Sequence, residues 1–409
     1  MILLSHSYTY NMTWFTGSRD TSDEGWHFDA VSLLAVIGES IIERQKHIIT
    51  ASPLSAFPRL LPAPQAILNM NPLTQLPPFD SVTVIDVFSG AYTFHLNYFS
   101  GIMHEIHKVK PYEFRVYEVC HSKNHDDDND DNDLDSVHRS LSRRIGLKRF
   151  CPMNILTLAS VLLTIGLAIW AIIIHDGIGL LAIITMSLSS SLSCLSQKSY
   201  PELVMRPASS TTVGGDIVMR PASSTTVGGD IVMKTRSGAF IVVHCSQQIG
   251  REVYYSEETY RYVFEPNTVL YKVLMGAGTL LLMVSVLLFS NCGWTMQTAI
   301  AVTYILLNMC YWTVSVLFDA RRSWDMSAHY AVKRLDRAYG SEANYTIALW
   351  HAIRETGRVD WVQKLDFVPA TVSWDAWLKE AKNNITNKEW DPESARDRLM
   401  AASYSLPHD

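Results

Sequence analysis

The sequence lacks the patterns that mark the common enzyme and metal-protein classes. It has no C-x-x-C pair, no G-x-S-x-G and no G-x-x-x-x-G-K-[ST] motif, so it carries no zinc-module, hydrolase or phosphate-loop signature. Its cysteines are scattered, which argues against a disulfide framework; they are Cys120, Cys151, Cys194, Cys245, Cys292 and Cys310. We therefore predict no catalytic residue and no cofactor.

A strong charge of either sign is also missing. The net charge is -6 over 409 residues, without an excess of Lys and Arg, so we predict no nucleic-acid partner. The charge that is present lies in two adjacent runs, an acidic one at 126–135 and a basic one at 139–149. The acidic run lacks the glycine and the final glutamate of a calcium-binding loop. We interpret it as a solvated linker.

Apolar residues are concentrated in two blocks, which predict four transmembrane helices. The runs that reach spanning length are 153–174, 178–195, 271–290 and 296–318. A bilayer core of about 30 Å requires roughly 20 apolar residues in a helix. Short turns separate the first run from the second and the third from the fourth. The predicted fold class is therefore an α-helical integral membrane protein with four transmembrane helices in two hairpins.

The basic residues beside these runs predict the orientation. Arg139, Arg143, Arg144, Lys148 and Arg149 precede the first run, Lys198 follows the second, Lys272 opens the third, and Arg321 and Arg322 follow the fourth. The turns at 175–177 and 291–294 contain no Lys or Arg. Because basic residues stay on the cytoplasmic side, we place both termini and the loop 198–270 in the cytoplasm. The sequence does not indicate which membrane is involved.

The five cations before the first run are candidate lipid-contacting residues: Arg139, Arg143, Arg144, Lys148 and Arg149. A basic residue at a cytosolic membrane face gains about 1 kcal/mol from anionic lipid. A role in setting the membrane topology, without any lipid recognition, would also explain why these cations are present. Anionic lipid head groups are thus one candidate partner, alongside the bilayer itself.

The predicted spans contain no acidic or basic residue at mid-depth, which argues against a proton-coupled transporter. They carry small residues at four-residue spacing instead. Ser160, Thr164 and Ala168 share one face of the first run, and Thr185, Ser189 and Ser193 share one face of the second. Such faces allow helices to approach closely in lipid, so we predict helix packing.

The remaining sequence predicts six regions: a cytosolic α+β region (1–120), a charged linker with a basic juxtamembrane segment (121–150), a first hairpin (151–197), a cytosolic loop (198–270), a second hairpin (271–318) and a helical C-terminal region (319–409). In the first region, 29–49 has the spacing of an amphipathic helix. The proline-rich stretch 52–78 predicts an extended segment along a surface. Residues 80–120 give mixed strand and helix signals.

The loop 198–270 contains a tandem duplication, because VMRPASSTTVGGDI occupies 204–217 and again 218–231. Its Ser, Thr, Gly and Pro content predicts a loop that tolerates the added length. The stretch 230–245 that follows predicts two strands around the turn 236–238. We therefore expect a small β-rich element in this loop.

One group of side chains is a candidate metal site, namely His95, His104, Glu105, His107, Cys120 and His121. His104 and His107 are three residues apart, so they can share a helix face. The spacing is not that of H-E-x-x-H zinc proteases. Histidines in an aromatic-rich segment are more often hydrogen-bonded core or surface groups, and we assign this group no metal.

Several stretches resemble a family of uncharacterised multi-pass membrane proteins of filamentous fungi. They are WHFDAVSLLAVIGESIIERQKHII (26–49), NPLTQLPPFDSVTVIDVFSG (71–90), SGIMHEIHKVKPYEFRVYEVC (100–120), RSGAFIVVHC (236–245) and NCGWTMQTAI (291–300). The resemblance covers most of the chain. It implies a membrane location and supplies no activity, cofactor or site. The duplicated 14 residues depart from it.

These observations favour a non-enzymatic scaffold or regulator that acts through its cytosolic regions. Its partners would then be other proteins or further copies of the same chain. A transporter or channel, as an oligomer, is the alternative, because four helices alone enclose little space. An enzyme is the third possibility, and it would require a cytosolic cleft that gathers the histidines.

Overall fold

A computed structural model describes residues 39–68, 76, 78–122, 142–204, 229–335 and 344–404. By its internal contacts the chain forms two compact units. The helical unit comprises Met1–Thr74, Gly146–Tyr200 and Tyr260–Asp325, and the sheet unit comprises the rest. The acidic run 126–135, Arg139 and most of the duplication (205–228) lie outside the described residues.

The helices in chain order are α1 (Glu39–Ala51), α2 (Gln65–Leu68), α3 (Tyr98–Met103), α4 (Pro152–Ile174), α5 (Gly177–Ser196), α6 (Gln247–Ile249), α7 (Val269–Phe289), α8 (Trp294–Leu317), α9 (Tyr345–Thr356), α10 (Asp360–Lys364), α11 (Val372–Asn383) and α12 (Pro392–Tyr404). The strands are β1 (Val82–Asp86), β2 (Tyr92–Thr93), β3 (Phe114–His121), β4 (Ser142–Arg144), β5 (Gly146–Leu147), β6 (Ser199–Val204), β7 (Ile231–Thr235), β8 (Phe240–His244), β9 (Glu257–Tyr262), β10 (Trp324–Asp325) and β11 (Tyr330–Leu335).

Four helices of the helical unit, α4, α5, α7 and α8, are long and apolar enough to cross a membrane. Their ends agree with the four predicted runs to within two residues. α5 packs along α7, and α4 contacts both α5 and α8. The sequence predicts these helices well because their signal is a local run of apolar residues.

The turn between α4 and α5 is fixed by Asp176. His175 ends α4 in the left-handed conformation with φ of 60°. Asp176 caps α5, since its Oδ1 accepts a hydrogen bond from Gly179 N at 2.8 Å. Its Oδ2 accepts one from Gly293 N, just before α8, at 2.9 Å. The start of α5 and the start of α8 therefore lie beside each other.

The sheet unit is built on a six-stranded sheet with the order β11-β3-β8-β7-β1-β2. β3 and β8 run parallel, with Phe114 opposite Phe240 and Glu118 opposite His244, while the other pairs are antiparallel. A three-stranded sheet has the order β4-β6-β9. In the helical unit, β5 pairs with β10. The hairpin β7-β8 turns at Gly238, whose φ is 79°, as predicted from the stretch 230–245.

Alternating side chains of the six-stranded sheet fill two apolar cores. Phe114, Val116, Phe240 and Val242 face one side with the C-terminal helices, where Trp350, Trp361 and Trp377 are buried. Val119, Ile241 and Val243 face the other side with Ile249, Val253 and Tyr254. Residues two apart in a strand share a face, so both faces of the sheet are covered.

Two predictions for this unit are wrong. The C-terminal region is not helical throughout, because Tyr330–Leu335 forms the edge strand β11 beside β3. The strands of the loop 198–270 are not a separate element, because β7 and β8 lie in the middle of the large sheet. Both errors have one cause: strand pairing is made with residues far away in the sequence, and local patterns do not show it.

Candidate functional sites

The predicted lipid-contacting residues that the structure describes are exposed. Lys148 and Arg149 precede α4 together with Phe150, whose side chain is 82% exposed. Arg144 ends β4 in the sheet unit, and its carbonyl oxygen lies 2.8 Å from His329 Nε2. Arg143 is a β4 residue, and its side chain, like all of Arg139, lies outside what the structure describes. An exposed aromatic beside two cations is suited to a membrane surface.

The structure does not bring the predicted histidine group together. His95 is exposed and pairs with Asp80 at 3.0 Å, while His107 is exposed and Glu105 pairs with Lys108. His104 is fully buried, and its Nε2 lies 2.7 Å from Tyr254 Oη. Burial lowers the pKa of His104 to about 3, so this histidine is a neutral core residue. Among the described residues, no three His, Cys, Asp or Glu are placed to hold a metal ion.

His121 and Cys120 instead line a pocket at the carboxyl ends of the parallel strands β3 and β8. The pocket has a volume of about 410 Å³ and is lined by Glu118, Val119, Cys120, His121, His244, Cys245, Ser246 and Ile249. Ligands of α/β sheets commonly bind outside the carboxyl ends of parallel strands. The sequence does contain a signal for this pocket, although it was not among the predicted sites: each strand ends in an adjacent Cys and His followed by Ser.

His244 is a cationic group of this pocket. Its Nδ1 lies 3.0 Å from Asp230 Oδ1, and its Nε2 lies 2.9 Å from Glu355 Oε1. Hydrogen bonds to Asp230 and Glu355 raise the pKa of His244 to about 9, so the ring is an imidazolium at neutral pH. It joins β8 to the residue before β7 and to α9.

The thiol beside it is unreactive. Cys245 Sγ donates to Gly229 O at 2.9 Å, and burial raises the pKa of Cys245 to about 12. Because the thiolate is the nucleophile, Cys245 is suited to packing and hydrogen bonding at neutral pH. Cys245 is therefore a packing residue of the pocket lining, and Cys120 is its exposed cysteine.

The second site lies in the helical unit, where the proline-rich segment 52–68 is buried among the apolar helices. Leu60, Leu61, Ala63 and Ile67 are all buried. Over 52–68 the prediction of an extended surface segment is wrong, since Pro53–Ala56 forms a 3₁₀ turn and Gln65–Leu68 forms α2. Residues 69–75 and 77 of the predicted stretch lie outside the described residues. Proline is compatible with the first position of a helical turn, and Ser52 caps the 3₁₀ turn by accepting from Leu54 N.

Hydroxyl groups of the apolar helices bind the backbone of this segment. Thr164 Oγ1 accepts from Leu60 N at 2.8 Å, and Ser160 Oγ donates to Leu60 O. Tyr304 Oη accepts from Ala63 N, and Ser191 Oγ donates to Ala56 O. Non-helical backbone is tolerated among apolar helices only where its polar groups are satisfied by protein. These hydroxyls provide hydrogen-bond partners for the buried N–H and C=O groups of the segment.

The two small-residue faces therefore serve different purposes. On α5, the predicted helix packing is found, because Ser189 Oγ donates to Gly278 O of α7 at 2.6 Å. A side chain at Gly278 would start 2.9 Å from Ser193 Oγ, so the two helices touch there. On α4, Ser160 and Thr164 contact the segment 52–68 instead of another helix.

Arg59 is the charged residue of this buried segment, and it is 1% exposed. Its Nη1 donates to Leu54 O at 3.0 Å and to Ser55 O at 3.2 Å. Its Nη2 lies 3.8 Å from Cys194 Sγ of α5, and its Nε has no hydrogen-bond partner. An ionisable residue among apolar helices is expensive and usually functional. The composition of the spans did not predict this charge, because Arg59 lies outside them in the sequence.

Known proteins give no guide to either site: no protein-family model matches the chain, and neither a curated protein nor a solved structure is significantly similar to it.

Proposed function

We propose that this chain is a multi-pass membrane protein that acts as a non-enzymatic scaffold or regulator through its sheet unit. In this proposal α4, α5, α7 and α8 cross the membrane as two hairpins, and both termini face the cytoplasm. The observation that supports it best is that buried residues of the segment 52–68 lie among the apolar helices of the helical unit. The segment 52–68 occupies space that a transporter or channel would keep for its solute.

The cavity beside Leu60 shows how little space remains at that level. It is lined by Leu60, Ala182, Ile183, Met186, Ser285, Phe289 and Ile300, and its volume is about 10 Å³. That is about the smallest volume that holds one water molecule. A solute crossing at this level would have to displace Leu60 or separate the helices.

The topology proposal is supported by contacts as well as by charge. Asp176 accepts from Gly293 N, which is consistent with both short turns lying at one membrane face. The exposed Lys148 and Arg149 beside Phe150 are consistent with the opposite, cytoplasmic face and with anionic lipid head groups as partners. We also propose that the chain is related to the uncharacterised multi-pass membrane proteins of filamentous fungi that it resembles. We propose that its partner is another protein or a second copy of the same chain.

The sheet unit supports the regulatory part of the proposal. It has two apolar cores of its own, far more structure than a membrane anchor requires. Its pocket at β3 and β8 combines a held cation, His244, with the exposed carboxylate of Glu118. Because both N–H groups of His244 are used by Asp230 and Glu355, the exposed carboxylate of Glu118 is the group that can orient a polar ligand or a partner side chain. We infer that partners bind around this pocket.

Solute flux through the reconstituted protein separates this proposal from the transporter alternative. We expect proteoliposomes of the full chain to release trapped ions and small fluorescent solutes no faster than protein-free liposomes. Flux above that background would contradict the proposal. Affinity purification from membranes should recover a partner at fixed stoichiometry, and Glu118→Lys should reduce its recovery. The matched change Glu389→Lys, on an exposed residue away from the pocket lining, should not.

A further inference from the structure

The buried guanidinium of Arg59 has one occupied edge and one open edge. Nη1 is used by the carbonyl oxygens of Leu54 and Ser55. The other edge is formed by Nε and Nη2. Nη2 lies 3.8 Å from Cys194 Sγ, the Tyr311 hydroxyl lies within reach of the guanidinium, and Nε has no partner. This second edge presents two parallel N–H groups, the arrangement that binds a carboxylate or phosphate in bidentate fashion.

Within the part of the chain that the structure describes, the charge of Arg59 is not balanced by an opposite charge. Among the described residues no carboxylate pairs with it. Arginine stays protonated in proteins, and a buried charge is costly unless it is paired. The two carbonyl groups offset only part of that cost, because they are neutral dipoles.

The surroundings of the open edge add further polar groups. Ser55 Oγ is fully buried and has no hydrogen-bond partner. Lys46 of α1 is a second buried cation, and it lies near the same Cys194 thiol as Arg59. A hydroxyl on a residue that already contacts Arg59 and a second cation near Cys194 suit a negatively charged ligand in this region.

The geometry points to an oxyanion-binding site at Arg59, between the segment 52–68 and α5. The ligand is a phosphate group, taken either from free inorganic phosphate or from a lipid head group. Cys194 lies within one turn of the end of α5, and Thr157 lies within two turns of the start of α4. The Tyr311 side chain of α8 interacts with both Arg59 and Thr157. The site therefore lies near the end of the helical unit that contains the start of α4 and the end of α5. This inference does not depend on the proposed regulatory role. The helical unit of a regulator or of a transporter could equally hold a bound phosphate.

Thermal unfolding of the full chain in a neutral detergent, stripped of lipid, tests the inference. Inorganic phosphate is added in one series and phosphatidylglycerol in another, each against chloride at matched ionic strength. At about one hundred times Kd, we expect the Tm to rise by about 5 °C or more. The series that produces the rise identifies the source of the phosphate. No rise in either series, or an equal rise with chloride, would overturn the inference.

Two variants assign the effect to Arg59. Arg59→Gln should abolish the rise, whereas Arg322→Gln, on an exposed arginine of the same unit, should leave it unchanged. Arg59→Lys keeps the charge but loses the two parallel donors, so we expect its Kd to increase at least tenfold. An unchanged response in a folded Arg59 variant would overturn the inference. If neither variant folds, the wild-type series decide it alone.

Discussion

His244 is positioned to be one of the main polar contributors to the stability of the sheet unit. Its two ring nitrogens face Asp230 and Glu355, whose side chains are mostly buried. Removing the imidazolium takes a positive charge from between two mostly buried carboxylates, and such a change is destabilising. The interaction joins the β7-β8 hairpin to α9, so it acts between segments more than 100 residues apart.

We predict that His244→Gln lowers the free energy of unfolding by about 2 kcal/mol near pH 6.5. Because the pKa of His244 rises from 6.5 to about 9 on folding, its contribution is complete below pH 6.5. It is lost as the pH rises through 9. The Tm difference between wild type and variant should therefore shrink by pH 10, and tryptophan fluorescence on heating measures it.

His95→Gln is the control for this prediction, because His95 also pairs with a carboxylate but is exposed. Exposed pairs contribute little, so its Tm should stay close to that of the wild type at every pH. A His244→Gln difference that does not vary between pH 6.5 and pH 10 would contradict the assigned protonation state.

The segment 52–68 is the element that occupies the space among the apolar helices of the helical unit. Its backbone depends on hydroxyl groups contributed by α4, α5 and α8. A buried N–H or C=O without a partner costs about 1–3 kcal/mol. The segment should therefore be sensitive to the loss of single hydroxyls far from it in the sequence.

Thr164→Val tests this dependence, since it removes the acceptor of Leu60 N with almost no change in shape. We expect a loss of about 1–3 kcal/mol in unfolding free energy, measured by thermal or denaturant unfolding in detergent. Thr313→Val is the matched control, because Thr313 is exposed and its hydroxyl bonds only to Met309 O of its own helix. Equal effects of the two substitutions would show that the segment is held by packing alone.

The elements differ in how far the sequence predicts them. The long apolar helices are predicted closely, because both length and composition are local properties. The strand β11 and the buried position of 52–68 are not predicted, because each depends on partners distant in the sequence. Proline density excludes a long helix at 52–68, but it cannot distinguish a surface segment from one enclosed by Ser160, Thr164 and Tyr304.

The candidate sites likewise divide into those that local sequence predicts and those that depend on residues distant in the sequence. The exposed cations before α4 are readable from their position next to a long apolar run. The pocket is readable only in part. Adjacent Cys and His residues mark the end of each strand, but the parallel pairing of β3 with β8, two strands more than 100 residues apart, is not a local property. Arg59 is not predicted for a similar reason: only the fold places it among α5 and α8.

At the scale of the whole molecule, the duplication has a defined consequence. The two copies are identical, so deleting either one gives the same chain, with Gly-Asp-Ile still preceding Val232. Ile231 begins β7, and Asp230 pairs with His244. The remaining copy would supply both residues, and only the loop between β6 and β7 would become shorter.

We therefore predict that a deletion of residues 218–231 changes the Tm by no more than about 2 °C, because loop-closure entropy varies slowly with length. Asp230→Asn in the full chain is the comparison, since it removes a partner of His244 without shortening the loop, and it should lower the Tm by more. A deletion as destabilising as that substitution would show that the added 14 residues are structural.

Cysteine labelling of the full chain tests most directly whether α4, α5, α7 and α8 cross a membrane with both termini on one side. Single cysteines at Asp20, Gly215, Asn291 and Ala401, in a background where all six native cysteines are replaced by Ser, are exposed to an impermeant maleimide in vesicles of each orientation. We expect Asn291→Cys to react only from the non-cytoplasmic side and the other three only from the cytoplasmic side. Labelling of Asn291→Cys from the same side as the other three would contradict the proposed topology.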